Sequence, residues 1–241
     1  MADQIKKNIS FAKDYTYREQ PDYDIDGLCL ITGKKTASLM TGNNFSTVYY
    51  EKLGLSLSAE SNDKQAIKIF NFSYPSGGTR GNVTHPIIQW KNASGKTFAY
   101  NFSTKINCEF YDIYPLKSTG RNLYLLIGAE TGDGNCYQGI AYVIEIKSDY
   151  LLTDNAIFAN RPYLNLCNRE YDFDVKTQVL TSLLQDESSR NPLDYALYNQ
   201  EKYSENKEAN EELAKLIQDG FNDENTTFNL KFNGNQFVKE K

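Results

Sequence analysis

Histidine is almost missing from this chain. His85 is the only one, so a Ser-His-Asp or Cys-His catalytic array would have to be built on it. It stands directly before Pro86 at the head of an expected strand, and no Gly-x-Ser-x-Gly nucleophile elbow occurs. One histidine also cannot furnish the usual ligand set of a zinc centre. The 4 cysteines, Cys29, Cys108, Cys136 and Cys167, are widely spaced and form no Cys-x-x-Cys pair, which again argues against structural zinc. Two disulfides in an oxidising compartment and free buried thiols both fit that spacing. No apolar run reaches the length of a membrane span, and residues 1–20 lack the apolar core of a signal peptide. Such a start suits a cytosolic protein and equally a mature exported one. A basic block is absent as well. Lys and Arg total 26 against 31 Asp and Glu, a net charge of −5, so nucleic acid is not an expected partner.

Tyrosine and phenylalanine, at 18 and 13, are plentiful beside a single Trp. Both favour strands, and tyrosine suits half-exposed surfaces where the ring packs and the hydroxyl stays wet. Apolar and β-branched runs predict strands at 28–32, 36–40, 47–51, 53–58, 67–74, 86–91, 97–102, 106–111, 123–129 and 140–147. Turn signals separate them: Thr32-Gly33-Lys34, Pro75-Ser76-Gly77-Gly78, Ala93-Ser94-Gly95-Lys96 and Thr131-Gly132-Asp133-Gly134-Asn135. Ile140, Tyr142, Ile144 and Ile146 alternate with Glu145 and Lys147, which predicts one core face and one polar face. Leu123-Tyr124-Leu125-Leu126-Ile127 is continuously apolar and predicts a strand buried on both faces. Ile67 and Ile69 share one face, Phe70 and Phe72 the other. A short helix is expected over 4–13. A polar segment, 177–223, interrupts the pattern, with one or two helices expected over 193–220. Strands at 227–232 and 235–239 flank Asn233-Gly234, the signature of a type I′ hairpin.

The expected fold is therefore mainly β: antiparallel sheets in a sandwich, barrel or propeller-like arrangement, with a short N-terminal helix and a helical segment near the C-terminus. The whole of 1–241 reads as a single β-rich domain, with 177–223 a helical insertion before the final hairpin.

The run Ser61-Asn62-Asp63-Lys64, the strand 67–72, Ser76-Gly77-Gly78-Thr79 and Ile87-Ile88-Gln89-Trp90-Lys91 share a texture of short Tyr- and Asn-rich strands joined by Gly and Asp turns. Tyr124-Leu125-Leu126-Ile127-Gly128 and Phe232-Asn233-Gly234-Asn235 continue it. In this the chain resembles uncharacterised strand-rich proteins of the bacterial cell envelope. The resemblance implies export to the periplasm or envelope, often with a lipid anchor. It brings no catalytic residue.

Asp22-Tyr23-Asp24-Ile25-Asp26-Gly27 has the front half of a calcium loop, because alternate carboxylates in a turn can face one hard cation. An EF-hand needs a glutamate at the twelfth loop position; Gly33 stands there, and 28–31 reads as a strand rather than an exiting helix. Asp22, Asp24 and Asp26 then either hold calcium in a turn of another kind or form a plain solvated acidic turn. The loop 130–135 is no P-loop, since no Gly-Lys-Ser/Thr follows Gly134. A hydrolase needs only two well-placed carboxylates, and Glu109, Asp112, Glu130, Asp172 and Asp174 lie near strand ends. The seven Asn-x-Ser/Thr sequons, at Asn8, Asn44, Asn71, Asn82, Asn92, Asn101 and Asn225, read as chance in an Asn-rich chain.

With no catalytic constellation, the sequence reads as a non-catalytic binding protein of the cell envelope. Its partner would be a protein or a glycan, met through Tyr74, Trp90, Tyr111, Tyr114 and Tyr137. The alternatives are a polysaccharide hydrolase with a carboxylate pair, or an inhibitor or immunity-type protein.

Overall fold

The computed structural model describes residues 1–20, 22–76, 81–131, 137–167, 169–184 and 227–240. The expected helices over 193–220, the Gly77-Gly78 turn, the Gly132–Asn135 loop tip and Cys136 lie outside them.

The chain opens with α1 (Ala2–Lys13), whose Ile5, Asn8, Ile9 and Ala12 recur at helical spacing and are buried. The strand reading of 28–32, 36–40 and 47–51 is corrected by two further helices. Residues Ile25–Met40 form one continuous helix, α2, and Thr47–Lys52 a shorter one, α3. Asp24 caps α2 by accepting from the Gly27 amide at 2.8 Å, and Ser46 caps α3 by accepting from Tyr49 at 3.3 Å. The buried stripe of α2 is Ile25, Cys29, Thr32, Gly33, Thr36, Ala37 and Met40. Its spacing is helical, but its small and β-branched members imitate strands. Gly33 is no turn: a Cβ there would meet the Asn101 side chain at 2.6 Å, so its bareness lets α2 settle on the sheet beneath.

From residue 56 onward the described residues run strand after strand: β1 (Ser56–Glu60), β2 (Lys68–Pro75), β3 (Asn82–Lys91), β4 (Thr97–Asn101), β5 (Glu109–Pro115), β6 (Leu123–Thr131) and β7 (Tyr137–Lys147). Next come β8 (Tyr150–Leu152), β9 (Tyr163–Cys167), β10 (Arg169–Asp174), β11 (Val179–Leu184), β12 (Thr227–Phe232) and β13 (Phe237–Lys239). They make three open antiparallel sheets. The first is ordered β1-β2-β3-β4, the middle β5-β6-β7-β8 with β9 also on β7, and the last β10-β11-β12-β13. Among the described residues no sheet closes on itself, so the sandwich form of the expected fold holds rather than the barrel.

The layers stack in sequence. The helices cover one face of the first sheet, where Ile5, Ile9, Met40 and Tyr50 pack on Phe70, Phe72 and Ile87. The other face of that sheet, with Ile67, Ile69, Ile88 and Trp90, packs on Tyr124, Leu126, Ile140, Tyr142 and Ile144 of the middle sheet. The reverse face of the middle sheet, with Leu123, Leu125, Ile127, Ala141 and Val143, packs on Phe173, Leu180, Leu230 and Phe237 of the last. The middle sheet is thus buried on both faces. That accounts for the unbroken apolar run of β6 and for the split of Ile67 and Ile69 from Phe70 and Phe72.

Three local expectations change. Val179–Leu184, at the head of the expected helical insertion 177–223, is strand β11, paired with β10 and β12. Glu145 was expected on a polar face of β7, yet it is 1% exposed because that face is covered too. The C-terminal hairpin is present, but Phe232 pairs with Phe237, leaving four loop residues. Only Gly234 of the Asn-Gly pair has positive φ, +97°. The Asn233 side chain closes the loop instead, accepting from the Asn235 and Gln236 amides at 3.0 Å each.

Candidate functional site

The largest assembly of the sequence-predicted residues lies where β10 crosses the middle sheet. β10 alternates cleanly: Arg169, Tyr171 and Phe173 are buried, while Glu170, Asp172 and Asp174 are exposed. It can lie directly on β7 because Gly139 has no side chain. A Cβ there would strike the Arg169 carbonyl oxygen. By Phe173 the strand has reached β5, where its ring meets Tyr114 at 5.4 Å. β5 in turn carries a bulge between Phe110 and Asp112. A bulge re-aims the side chain it adds, and here it turns Tyr111 outward.

Tyr111, Tyr114 and Tyr137, three of the five expected contact residues, therefore share one surface. Tyr111 is 40% exposed and Tyr137 36%. Burial pushes the Tyr111 hydroxyl up to about 12, with Tyr137, Glu170, Asp112 and Tyr114 adding to it. Tyr137 is raised by burial, then by Glu170 and Glu109; Tyr114 by burial, then by Asp112 and Asp172. All three phenols stay protonated at neutral pH, each in the field of carboxylates. The surface offers ring faces, hydroxyls and acceptor oxygens together. Glu170 was missed from sequence, although the in-out alternation of 169–174 contains the signal for it.

Tyr74 and Trp90 are elsewhere and are not surface residues. Tyr74 is buried under the helices and its hydroxyl donates to Asp26. Trp90 is 2% exposed between the first and middle sheets. The Asp22-Asp24-Asp26 series is drawn apart by α2. Asp24 is its cap, Asp26 lies in the first turn bonded to Tyr74, and Asp22 stands outside the helix. Successive helical positions radiate about 100° apart, so alternate carboxylates do not converge. Among the described residues no group of three or more His, Cys, Asp or Glu is placed to hold a metal.

His85 sits mid-strand in β3, stacked on Phe72 at 5.1 Å and Tyr74 at 5.9 Å. Both ring nitrogens are buried with no hydrogen-bond partner. Burial brings its pKa down to about 4 from 6.5, with Asp26 opposing. The Cys29 thiol under α2 is pushed up to about 12 by burial and then by Asp26, so it is no ready nucleophile. The folded chain binds the His85 proton less readily than the unfolded chain. The stability that neutral His85 supports is therefore complete above pH 6.5 and is lost as pH falls towards about 4. This shift corresponds to about 3 kcal/mol. His85→Phe, which keeps the stacked ring and removes the titration, is expected to lose about 3 kcal/mol less than the wild type between about pH 7.5 and pH 4. Urea unfolding at the two pH values measures it, and equal losses would refute it.

Of the expected carboxylates, Asp112 and Asp172 join the tyrosine face. Glu130 lines a cleft between the first and middle sheets, as does Glu109. Asp174 closes the β10–β11 turn, accepting from the Lys176 amide and the Thr177 hydroxyl at 2.8 Å each, bonds that hold it below the usual carboxylate range. Glu145 accepts from Arg121 at 2.7 Å and faces Lys147 at 2.5 Å. Burial pushes its carboxyl up, and the hydrogen bonds and charges of Arg121 and Lys147 outweigh that and hold it down. Cys29 and Cys108 are free thiols. No family model, no curated protein and no solved structure matches this chain.

Proposed function

We propose that this chain is a non-catalytic binding protein of the bacterial cell envelope, and that Tyr111, Tyr114 and Tyr137 with Asp112, Glu170 and Asp172 form its contact surface. The observation that carries the reading is the gathering of three tyrosines and three acids from three strands onto one face. Tyrosine concentrates binding energy because its large rigid ring loses little entropy on contact. The carboxylates select a partner rich in N–H donors. A basic protein segment, whose Lys and Arg stems lie on the rings while their heads meet the acids, fits both features. An inhibitor or immunity-type role is one form of this reading. The envelope assignment is supported by the texture of short Tyr- and Asn-rich strands joined by Gly and Asp turns. Among the candidate acids, Asp174 is held low by its turn, the opposite of the raised carboxyl a hydrolase needs as its acid.

The test sets a Lys- and Arg-rich peptide array against a glycan array. Wild type is expected to bind peptides with affinity that falls as salt rises. Tyr111→Ala combined with Tyr137→Ala is expected to lose at least about 30-fold, the scale of a hot-spot pair. Binding to glycans alone, or peptide binding unchanged in the double variant, would overturn the reading.

A further inference from the structure

The two long helices carry charge of the opposite sign to the chain as a whole. Helices α1 and α2 hold Lys6, Lys7, Lys13, Lys34 and Lys35 against Asp3 and Asp26, on a chain whose net charge is −5. The helices run antiparallel. Phe11, late in α1, meets Tyr23, just before α2, at 5.0 Å, and midway along Asn8 donates to Thr32 at 2.8 Å. Lys6 and Lys7 therefore lie level with Lys34 and Lys35. In α2, Cys29, Thr32, Gly33 and Thr36 are buried. Helical positions step by about 100°, so Leu30, Ile31, Lys34 and Lys35 take the outer side. Lys6, Lys7 and Lys34 are exposed and Lys35 is half-buried. Leu30 is 36% and Ile31 51% exposed beside them.

Little on this face neutralises the lysines. Among the described residues the ion pairs use other lysines, Lys68, Lys105 and Lys147. Asp3, one turn before Lys6 and Lys7, offsets one charge of the four. Strand β4, which packs beside α2, has no charged residue, and α3 carries one of each sign, Glu51 and Lys52. Asp14, Glu19, Asp22, Asp24 and Asp26 gather at the other end of the helix pair. Asp14 is eight positions from Lys6, and Asp26 eight from Lys34. Along a helix that is about 12 Å, longer than the screening length of about 8 Å at physiological salt. The same screening mutes the acidic remainder of the molecule when this face leads. Protein interfaces are depleted of lysine at their centre and draw on aromatic and arginine anchors. Here aliphatic side chains stand among lysines instead, a composition that suits lipid headgroups. Ammonium groups meet the phosphates, while the lysine stems, Leu30 and Ile31 reach the acyl boundary.

We propose that this outer face of α1 and α2 docks on the surface of an anionic lipid bilayer, through Lys6, Lys7, Lys34 and Lys35 with Leu30 and Ile31 between the headgroups. The first sheet lies between this face and the middle sheet that carries the three tyrosines, and neither proposal rests on the other.

Co-sedimentation of the full chain with vesicles tests this, using phosphatidylcholine alone and phosphatidylcholine with phosphatidylglycerol in three-to-one proportion. Binding is expected to the mixed vesicles only, and is expected to fall as salt rises. A lysine at an anionic surface is worth about a fivefold change in partition, so Lys34→Gln combined with Lys35→Gln is expected to weaken binding at least tenfold. Ile31→Ser is expected to weaken it about threefold. Lys64→Gln with Lys231→Gln removes the same charge from exposed positions outside this face and is expected to bind as wild type does. Tyr111→Ala with Tyr137→Ala is expected to do the same. Three results would each overturn the proposal. The first is equal binding to both kinds of vesicle. The second is an equal effect of the two lysine pairs, which would mark diffuse charge. The third is no binding to the mixed vesicles; capture of soluble polyglutamate in that case would make the face a dock for an acidic protein instead.

Discussion

Gly139→Ala is expected to cost at least about 3 kcal/mol of folding stability, at the upper end of overpacking effects. The added methyl would strike the Arg169 carbonyl oxygen and lie 2.8 Å from its carbon and 3.2 Å from the Tyr171 ring. Two of those three atoms are backbone, and the backbone in question is β10, fixed to β11 along six register pairs. It cannot swing aside as a side chain can. Relief requires lifting the last sheet off the middle one, which opens the core of Leu125, Val143, Phe173 and Leu230. Nothing else disfavours alanine here, because Gly139 has no positive φ and loss of glycine freedom favours the substitution slightly. Gly95→Ala is the control. It adds its methyl to open space but at φ +78°, so about 1 kcal/mol of backbone strain is its whole cost. Urea midpoints at unchanged m-value separate the two. If Gly139→Ala stays within about 0.5 kcal/mol of wild type, β10 does not lie on β7. The tyrosine face, which depends on that crossing to bring Glu170 to Tyr111 and Tyr137, would then be lost with it.

The parts of the fold that could be read from sequence are those in which neighbouring residues report their own surroundings. Leu123–Ile127 shows two buried faces because every residue in it is apolar. Ile67, Ile69, Phe70 and Phe72 show two faces by alternation alone. α2 escaped because its buried stripe is half threonine, glycine and cysteine, which shows little hydrophobic contrast until a sheet covers it. Its start was nonetheless written in the chain: Asp24 three residues before Gly27 is an N-cap, but the Asp-x-Asp-x-Asp spacing reads as an acidic turn, with or without calcium. At the candidate site, residue type was legible and placement was not. Tyr111, Tyr114 and Tyr137 come together through a bulge, a glycine and a strand crossing, and each of these depends on residues distant in sequence. Tyr74 and Trp90 have the same contact chemistry and lie in the interior, so chemistry alone could not sort the five. Glu145 was misplaced for the related reason that nothing local shows its strand to be covered on both sides.

Trp90 supplies the sharpest separation of packing from binding. It is among the largest fully buried side chains, lies in the core between the first and middle sheets with Phe102, Tyr142 and Ile144, and stacks on Phe98 at 5.9 Å. Its indole N–H donates to the Ser148 carbonyl at 3.2 Å. Ser148 turns the chain from β7 into β8 with φ +53°, a left-handed conformation that costs a non-glycine residue roughly 1–2 kcal/mol. Trp90 thus fills the core and also ties down a strained turn of the middle sheet. Trp90→Ala is expected to cost about 3–5 kcal/mol, the range for emptying a large aromatic site that cannot collapse. Trp90→Phe refills part of the volume and gives up the bond to the Ser148 carbonyl, which is exposed and turns to water instead; the expected cost is about 1–2 kcal/mol, most of it from unfilled volume. Adding Ser148→Gly to Trp90→Phe relieves the turn and is expected to return about 1 kcal/mol. Peptide affinity of folded Trp90→Phe is expected to stay within about twofold of wild type, since the tyrosine face is formed by other strands. A stable Trp90→Phe that loses partner binding would return Trp90 to the contact surface, where its residue type alone had placed it.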